Sequence, residues 1–332
     1  MLRSPFCYSK RVFFVFLHQI LDMRYLVVFT VFIFMSCASN APVTEVKAPI
    51  DGANIEAVLA YLTSDELQGR ETGTEGNRKA ASYLAERLAL YGIEPFFTSY
   101  QDTLKDVPDT WNVVGLIPGT DPILKEEYVL LGAHYDHIGI QPSVDGDSIA
   151  NGANDDATGV AIVAELARNL VKKSPKRSVL IAFFTGEEKG LWGSKHLANR
   201  LKSQNLNVTL MLNFEMLGIP MQREYMTYFT GANQSNVAEQ INVLAGMPLV
   251  GVLEKAEEYQ LFKRSDNYPF YQTFKTPSHS FSSFDFENFD YYHHVKDEFQ
   301  LMDLKFMEDF TIKVAPVVEQ LINLPSGTLK QY

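Results

Sequence analysis

Residues 128–133, 178–184 and 208–214 are unbroken apolar runs, and they limit what this chain can fold into more than any other feature. A strand wetted on one face alternates apolar with polar side chains. A short run that is apolar throughout fits a strand covered on both faces. Each run also ends abruptly in polar residues: the first in His134-Tyr135-Asp136-His137, the second in Thr185-Gly186-Glu187-Glu188, the third in Glu215. In open α/β sheets, ligands bind beyond the carboxyl ends of the strands, where loops from neighbouring strands converge. A carboxylate or imidazole at the end of a buried strand needs a partner. One metal ion would partner several at once.

The rest of the chain supplies the helices such a sheet requires. Helical spacing of apolar residues runs through 80–90, 157–171, 191–201, 237–244 and 307–321, and Gly92 closes the first in the manner of a C-terminal stop. Residues 112–117 and 226–230 are weaker strand candidates. The expected fold is three-layer αβα, with a mixed, mainly parallel twisted sheet between helices. With 332 residues and 46% apolar side chains there is material for one large domain, placed here at 51–327. The net charge of −11 argues against a nucleic-acid partner, because phosphate binding needs clustered Lys and Arg. Both cysteines, Cys7 and Cys37, lie near the start, so a metal in the domain must be held by His, Asp and Glu.

Residues 1–37 read as a signal or anchor segment and 38–50 as a linker. Apolar stretches at 12–21 and 26–35 each fall short of the roughly 20 residues that span a bilayer as a helix. Met23 and Arg24 begin a short positive start, followed by a Phe/Val-rich middle and then Phe34-Met35-Ser36-Cys37. This layout resembles a bacterial lipoprotein signal, with Cys37 lipidated and residues 1–22 an upstream extension. Mass analysis of the mature amino terminus decides that reading. The expectation is an exported protein of the cell envelope, periplasmic or at the outer membrane, touching the membrane only through its amino-terminal anchor or signal.

Three constellations carry the chemistry. His134-x-Asp136 puts an imidazole and a carboxylate on one face of an extended segment, so Asp136 could fix the tautomer of His134. Gly152-Ala153-Asn154-Asp155-Asp156-Ala157-Thr158-Gly159 is a small-residue turn opening a helix. One of its aspartates can cap that helix while the other points into the site. Adjacent Glu187 and Glu188 repel one another after a buried strand, and a division of labour accounts for them: Glu188 on a metal, Glu187 taking a proton from water that the metal acidifies. His196 reads as a surface or packing residue; His137 and His279 could line the cleft, with the structural reading favoured for both. The aromatic stretch holding Tyr259, Phe262, Tyr268, Phe270 and Tyr271 reads as mostly core, with one or two rings free to wall a pocket.

The order of these motifs, followed by Asn213-Phe214-Glu215-Met216 and by Tyr292-His293-x-x-x-Asp297, resembles the co-catalytic double-zinc aminopeptidase family. That family includes bacterial leucyl aminopeptidases and glutamate carboxypeptidase. The similarity spans residues 55–325 and takes in 67–76 and Arg264-Ser265-Asp266-Asn267-Tyr268-Pro269-Phe270. It implies two zinc ions bridged by Asp155, with His134 and Glu215 on one, Glu188 and His293 on the other, Glu187 as general base and Asp136 orienting His134. His293 is favoured over His294 because it stands four residues before Asp297. Three positions depart from the common pattern: Glu215 where Asp is usual, Asn267 where His is frequent, and Val295 where Pro is frequent. The implied activity is hydrolysis of amino-terminal residues from peptide substrates. Alternatives on the same fold are a glutaminyl cyclase using one zinc and a non-catalytic binding protein.

Overall fold

The computed structural model describes residues 50–332 apart from Asp106; residues 1–37, read above as a signal or anchor, and Cys37 with them, lie outside the described residues. The strands in chain order are β1 (Glu94–Pro95), β2 (Gln101–Thr103), β3 (Trp111–Ile117), β4 (Glu127–His134), β5 (Gly139–Val144), β6 (Asp147–Ala150), β7 (Ser178–Phe184), β8 (Asn207–Glu215), β9 (Thr227–Phe229), β10 (Val250–Gly251) and β11 (Ser278–Ser282). The helices are α1 (Gly52–Leu62), α2 (Glu75–Leu90), α3 (Thr158–Leu170), α4 (Trp192–Ser203), α5 (Val237–Ala245), α6 (Glu254–Glu258), α7 (Asn267–Phe274) and α8 (Leu304–Asn323).

Nine strands form one sheet in the order β1-β3-β7-β4-β8-β11-β9-β10, with β2 also paired to β3. The four in the middle, β7, β4, β8 and β11, run parallel to one another. Strand β3 joins β7 antiparallel on one side, and β9 joins β11 antiparallel on the other. The sheet is therefore mixed with a parallel centre. Alternation along β7 makes the layers visible. Val179, Ile181 and Phe183 belong to a core with residues of α1, α2, α3 and α8, while Leu180, Ala182 and Phe184 belong to one with Leu197, Ala198 and Leu201 of α4 and Phe270 of α7. Every residue of β7 is buried, as an unbroken apolar run requires. Strands β4 and β7 are in register over their whole shared length, which brings His134 level with Phe184, so the residues that follow both strands emerge at one edge.

Several elements escaped the sequence pattern. Strand β11, Ser278-His279-Ser280-Phe281-Ser282, is fully buried yet mostly polar. Its side chains are satisfied in place: His279 Nδ1 lies 2.8 Å from Thr230 O, its Nε2 lies 2.7 Å from Ser235 Oγ, and Ser280 Oγ donates to Asn267 Oδ1 at 2.9 Å. Burial pushes the His279 ring down to about 4, so it stays neutral among these partners. Among the described residues no helix is long and apolar enough to cross a membrane.

Candidate metal centre

The polar residues that end β4, β7 and β8 converge as their register dictates, and two loops complete the group. His134 is the last residue of β4, Glu187 and Glu188 follow β7, and Glu215 ends β8. Asp155 comes from the turn before α3, and His293 from the loop before α8, held in a left-handed conformation at φ 55°.

Asp155 stands at the middle. Its Oδ1 is 3.2 Å from His134 Nε2, and its Oδ2 is 3.2 Å from His293 Nε2. Glu215 Oε1 lies 3.2 Å from the same His134 nitrogen, and Glu188 Oε2 lies 3.0 Å from that of His293. The result is two adjoining trios that share one carboxylate. Asp156 also has an oxygen within reach of His134 and Glu215. Its Oδ1, however, accepts from Gly159 N at 3.2 Å and Met216 N at 2.9 Å, so it caps α3 and ties the turn to β8. Asp155 is left to face both rings.

The supporting residues were less legible. Asp136 does hold His134, but through its backbone: His134 Nδ1 is 3.1 Å from Asp136 O and 3.7 Å from the carboxylate. The carboxylate instead accepts from Glu187 N at 3.2 Å and from Thr72 Oγ1 at 2.8 Å, so it positions the proposed base. The extended geometry that would aim a side chain at i−2 ends at His134, where β4 stops. Arg70, fully buried, donates to the carbonyl oxygens of Leu62, Tyr135, Asn151 and Gly152 and so locks both histidine- and aspartate-bearing loops. Asp297 accepts from Asn154 N at 2.8 Å and Asp155 N at 3.0 Å, which fixes the bridging residue. Asn267, in place of a frequent His, lies off the site, its amide donating to Phe262 O and Ser278 O. Glu215, in place of a frequent Asp, is steadied by Ser265 Oγ, which donates to its Oε2 at 2.5 Å.

His137 belongs to the site, contrary to its structural reading. It is fully buried, with Nδ1 2.9 Å from Glu188 Oε1 and 3.8 Å from Asp155 Oδ2. Neither ring nitrogen, nor Glu188 Oε1, has a hydrogen bond from the protein. Its spacing three residues after His134, beyond a strand end, was the available signal. Neither His294 nor His196 comes into the trios; His196 Nε2 pairs with Asp102 at 3.3 Å.

Charge tests whether metal ions suit this arrangement. Asp136, Asp155, Asp156, Glu187, Glu188, Glu215, Asp266 and Asp297 crowd one region, most of them buried. Burial pushes the Asp266 and Asp297 carboxyls up to about 7, and Asp156 and Glu187 also lie well above the carboxylate range, through burial and neighbouring carboxylates. Burial opposes ionisation of Asp155 too, but the His134 and His293 rings hold it well below that range. Such a surplus of buried anions, with orphaned imidazole and carboxylate atoms beside it, is what divalent cations neutralise. The donors are His nitrogen and carboxylate oxygen, a set that suits zinc.

Beside the trios opens a cavity of about 490 Å³. The Tyr292 ring stacks on His293 at 4.0 Å and lines the opening. Burial, reinforced by Asp155, Glu188, Glu187 and Glu215, keeps its hydroxyl protonated.

Residues 112–318, well over half of the chain, match the model of peptidase family M28. The chain belongs to this family. Among individual relatives it is 34% identical over 195 residues to a probable zinc metalloprotease of Leptosphaeria maculans, covering 54% of this chain and 44% of that one. The chain thus spans less than half the length of that relative. The fold is shared with the LapA aminopeptidase of Legionella pneumophila (TM-score 0.65, 20% identity, 83% of this chain and 73% of that one). It is also shared with the glutaminyl cyclase of Porphyromonas gingivalis (TM-score 0.62, 15% identity, 82% and 99%). In this M28 member His134, the Glu187-Glu188 pair and Glu215 stand at strand ends, and Asp155 and His293 are brought to them by the turn before α3 and the loop before α8.

Proposed function

We propose that this M28 member is a zinc-dependent exopeptidase, an aminopeptidase that removes amino-terminal residues from peptides. The observation that carries the reading is Asp155, whose two oxygens each face a different histidine, beside a Glu pair that opens on a cavity. His134 and Glu215 would hold one ion and Glu188 and His293 the other, with Asp155 between them. Two such ions, when bound, acidify a water and polarise the scissile carbonyl.

The remaining steps belong to the protein. Glu187, its backbone pinned by Asp136, has a carboxyl raised by burial and by Glu215, Asp266 and Glu188, and so is suited to accept a proton from water and return it to the departing amine. Tyr292 keeps its proton and can donate a hydrogen bond to the carbonyl oxygen as charge develops there. Phe284 and Phe286, 4.5 Å apart, continue from Tyr292 as an aromatic wall fit for an apolar amino-terminal side chain. Export with lipid attachment at Cys37 is part of the proposal, on the pattern of residues 23–37 alone.

Leucyl-4-nitroanilide, its N-acetyl derivative and a glutaminyl peptide separate this reading from its rivals. Release of nitroaniline from the free amine, with little from the acetylated form, is the expected result. Cyclisation of the glutaminyl peptide without hydrolysis of the leucyl substrate would replace the peptidase reading with a cyclase one.

A further inference from the structure

The cavity beside the trios is lined by two unlike sets of side chains. One is aromatic: Tyr292, stacked on His293, with Phe284 and Phe286 continuing from it. The other is cationic: Lys195 in the first turns of α4, and Lys263 and Arg264 immediately before Ser265, whose hydroxyl holds Glu215. Several other cations have acidic partners, as Lys189 has Glu71, Lys255 has Glu287, Arg223 has Asp285 and Lys296 has Asp145. The three in the cavity have none among the described residues. Lys195 donates to Gly190 O at 2.8 Å and Lys263 to Gln260 Oε1 at 3.1 Å, which leaves each ammonium two further protons, and Arg264 keeps its whole fork.

An amino-terminal side chain set against the aromatic residues, with the scissile carbonyl at the trios, would leave the residue beyond the scissile bond to reach the cations that line the same cavity. Two or three extended residues span roughly 7–10 Å, a length suited to a cavity of about 490 Å³. Two divalent ions would offset Asp155, Glu187, Glu188 and Glu215, so the cations become the uncompensated charge of the cavity.

We propose that Lys195, Lys263 and Arg264 form a carboxylate-binding wall that selects short peptides bearing a carboxylate on the leaving side, a dipeptide with a free carboxyl end above all. The inference rests on the aminopeptidase reading and adds the substrate class to it. The reaction is hydrolysis: water adds to the carbonyl carbon, the C–N bond breaks, and the amine leaves with a proton, its own carboxylate still held by the wall. The shared chemistry is a carboxylate, from either the chain end or an acidic side chain.

The test compares kcat/KM of the zinc-loaded full chain on Leu-Gly and Leu-Gly-amide, and on Leu-Glu-amide and Leu-Gln-amide. At least one acid is expected to exceed its neutral partner by roughly tenfold, as two or three partly exposed ion pairs together would supply. The first pair reports the chain end and the second the side chain. The discrimination should fall toward one in the double variant Lys263→Gln/Arg264→Gln. Calorimetry with a non-hydrolysable methylene-amine isostere of Leu-Gly, as acid and as amide, should show the same preference in Kd without turnover. Equal rates and equal Kd within each pair, or a preference that survives the double variant, would overturn the wall. Absence of hydrolysis on all four peptides and on leucyl-4-nitroanilide would instead overturn the peptidase reading beneath it.

Discussion

Glu187 and Glu188 are chain neighbours held in opposite states. Burial and Asp155 oppose ionisation of Glu188, but His137 and His293 lower its carboxyl below the ordinary range, as suits a metal ligand. Burial raises Glu187, which lies outside both trios. Substituting Glu187→Gln keeps shape and removes the proton acceptor. Turnover on a leucyl substrate should fall by about 10²–10⁴-fold while metal content, read by elemental analysis, stays at the wild-type level. Full turnover in that variant would remove Glu187 from the chemistry. His134, Asp155, Glu187, Glu188, Glu215 and His293 were legible because strand ends and short motifs expose them in sequence. The roles of Arg70 and of the Asp136 carboxylate were not, since both depend on where backbone carbonyl and N–H groups lie after folding. Tyr292 was legible only as a neighbour of His293, because its stacking on that ring and its place at the cavity exist only in the folded chain.

At the scale of elements, apolar periodicity located β4, β7, β8 and five of the helices, with ends shifted by a few residues where capping rather than burial decides. It missed β11 because that strand satisfies buried Ser and His internally instead of excluding them. The register of β11 on β8 sets Ser282 beside Glu215, so this polar strand helps form the floor of the site. Gly159 shows how closely elements meet there. A Cβ at that position would stand 2.3 Å from Phe214 O of β8 and 2.5 Å from the Asp156 carboxylate that caps α3. The contact is with backbone and with a fixed cap, so neither can yield cheaply. Gly159→Ala should therefore lower stability by about 1–3 kcal/mol, seen as a lower urea midpoint at unchanged m. An unaltered midpoint would show that α3 can move away from β8.

For the whole molecule, two apolar cores on either side of a sheet hold the strand ends in place, and the chemistry sits at one edge of that sheet. The layered architecture was legible because runs buried on both faces admit few other solutions. The cationic lining of the cavity was not, because Lys195 and the Lys263-Arg264 pair are distant in sequence and come to one cavity only through the fold, on α4 and in the turn before α7. The buried negative charge at the edge is the property of the molecule that most needs a counterpart, and two divalent ions per chain are the counterpart put forward here. Metal analysis of the purified full chain before and after chelation tests that directly. The expected result is two ions per chain, with turnover lost on their removal and regained on adding zinc; a single ion per fully active chain, or turnover that survives complete removal, would contradict it.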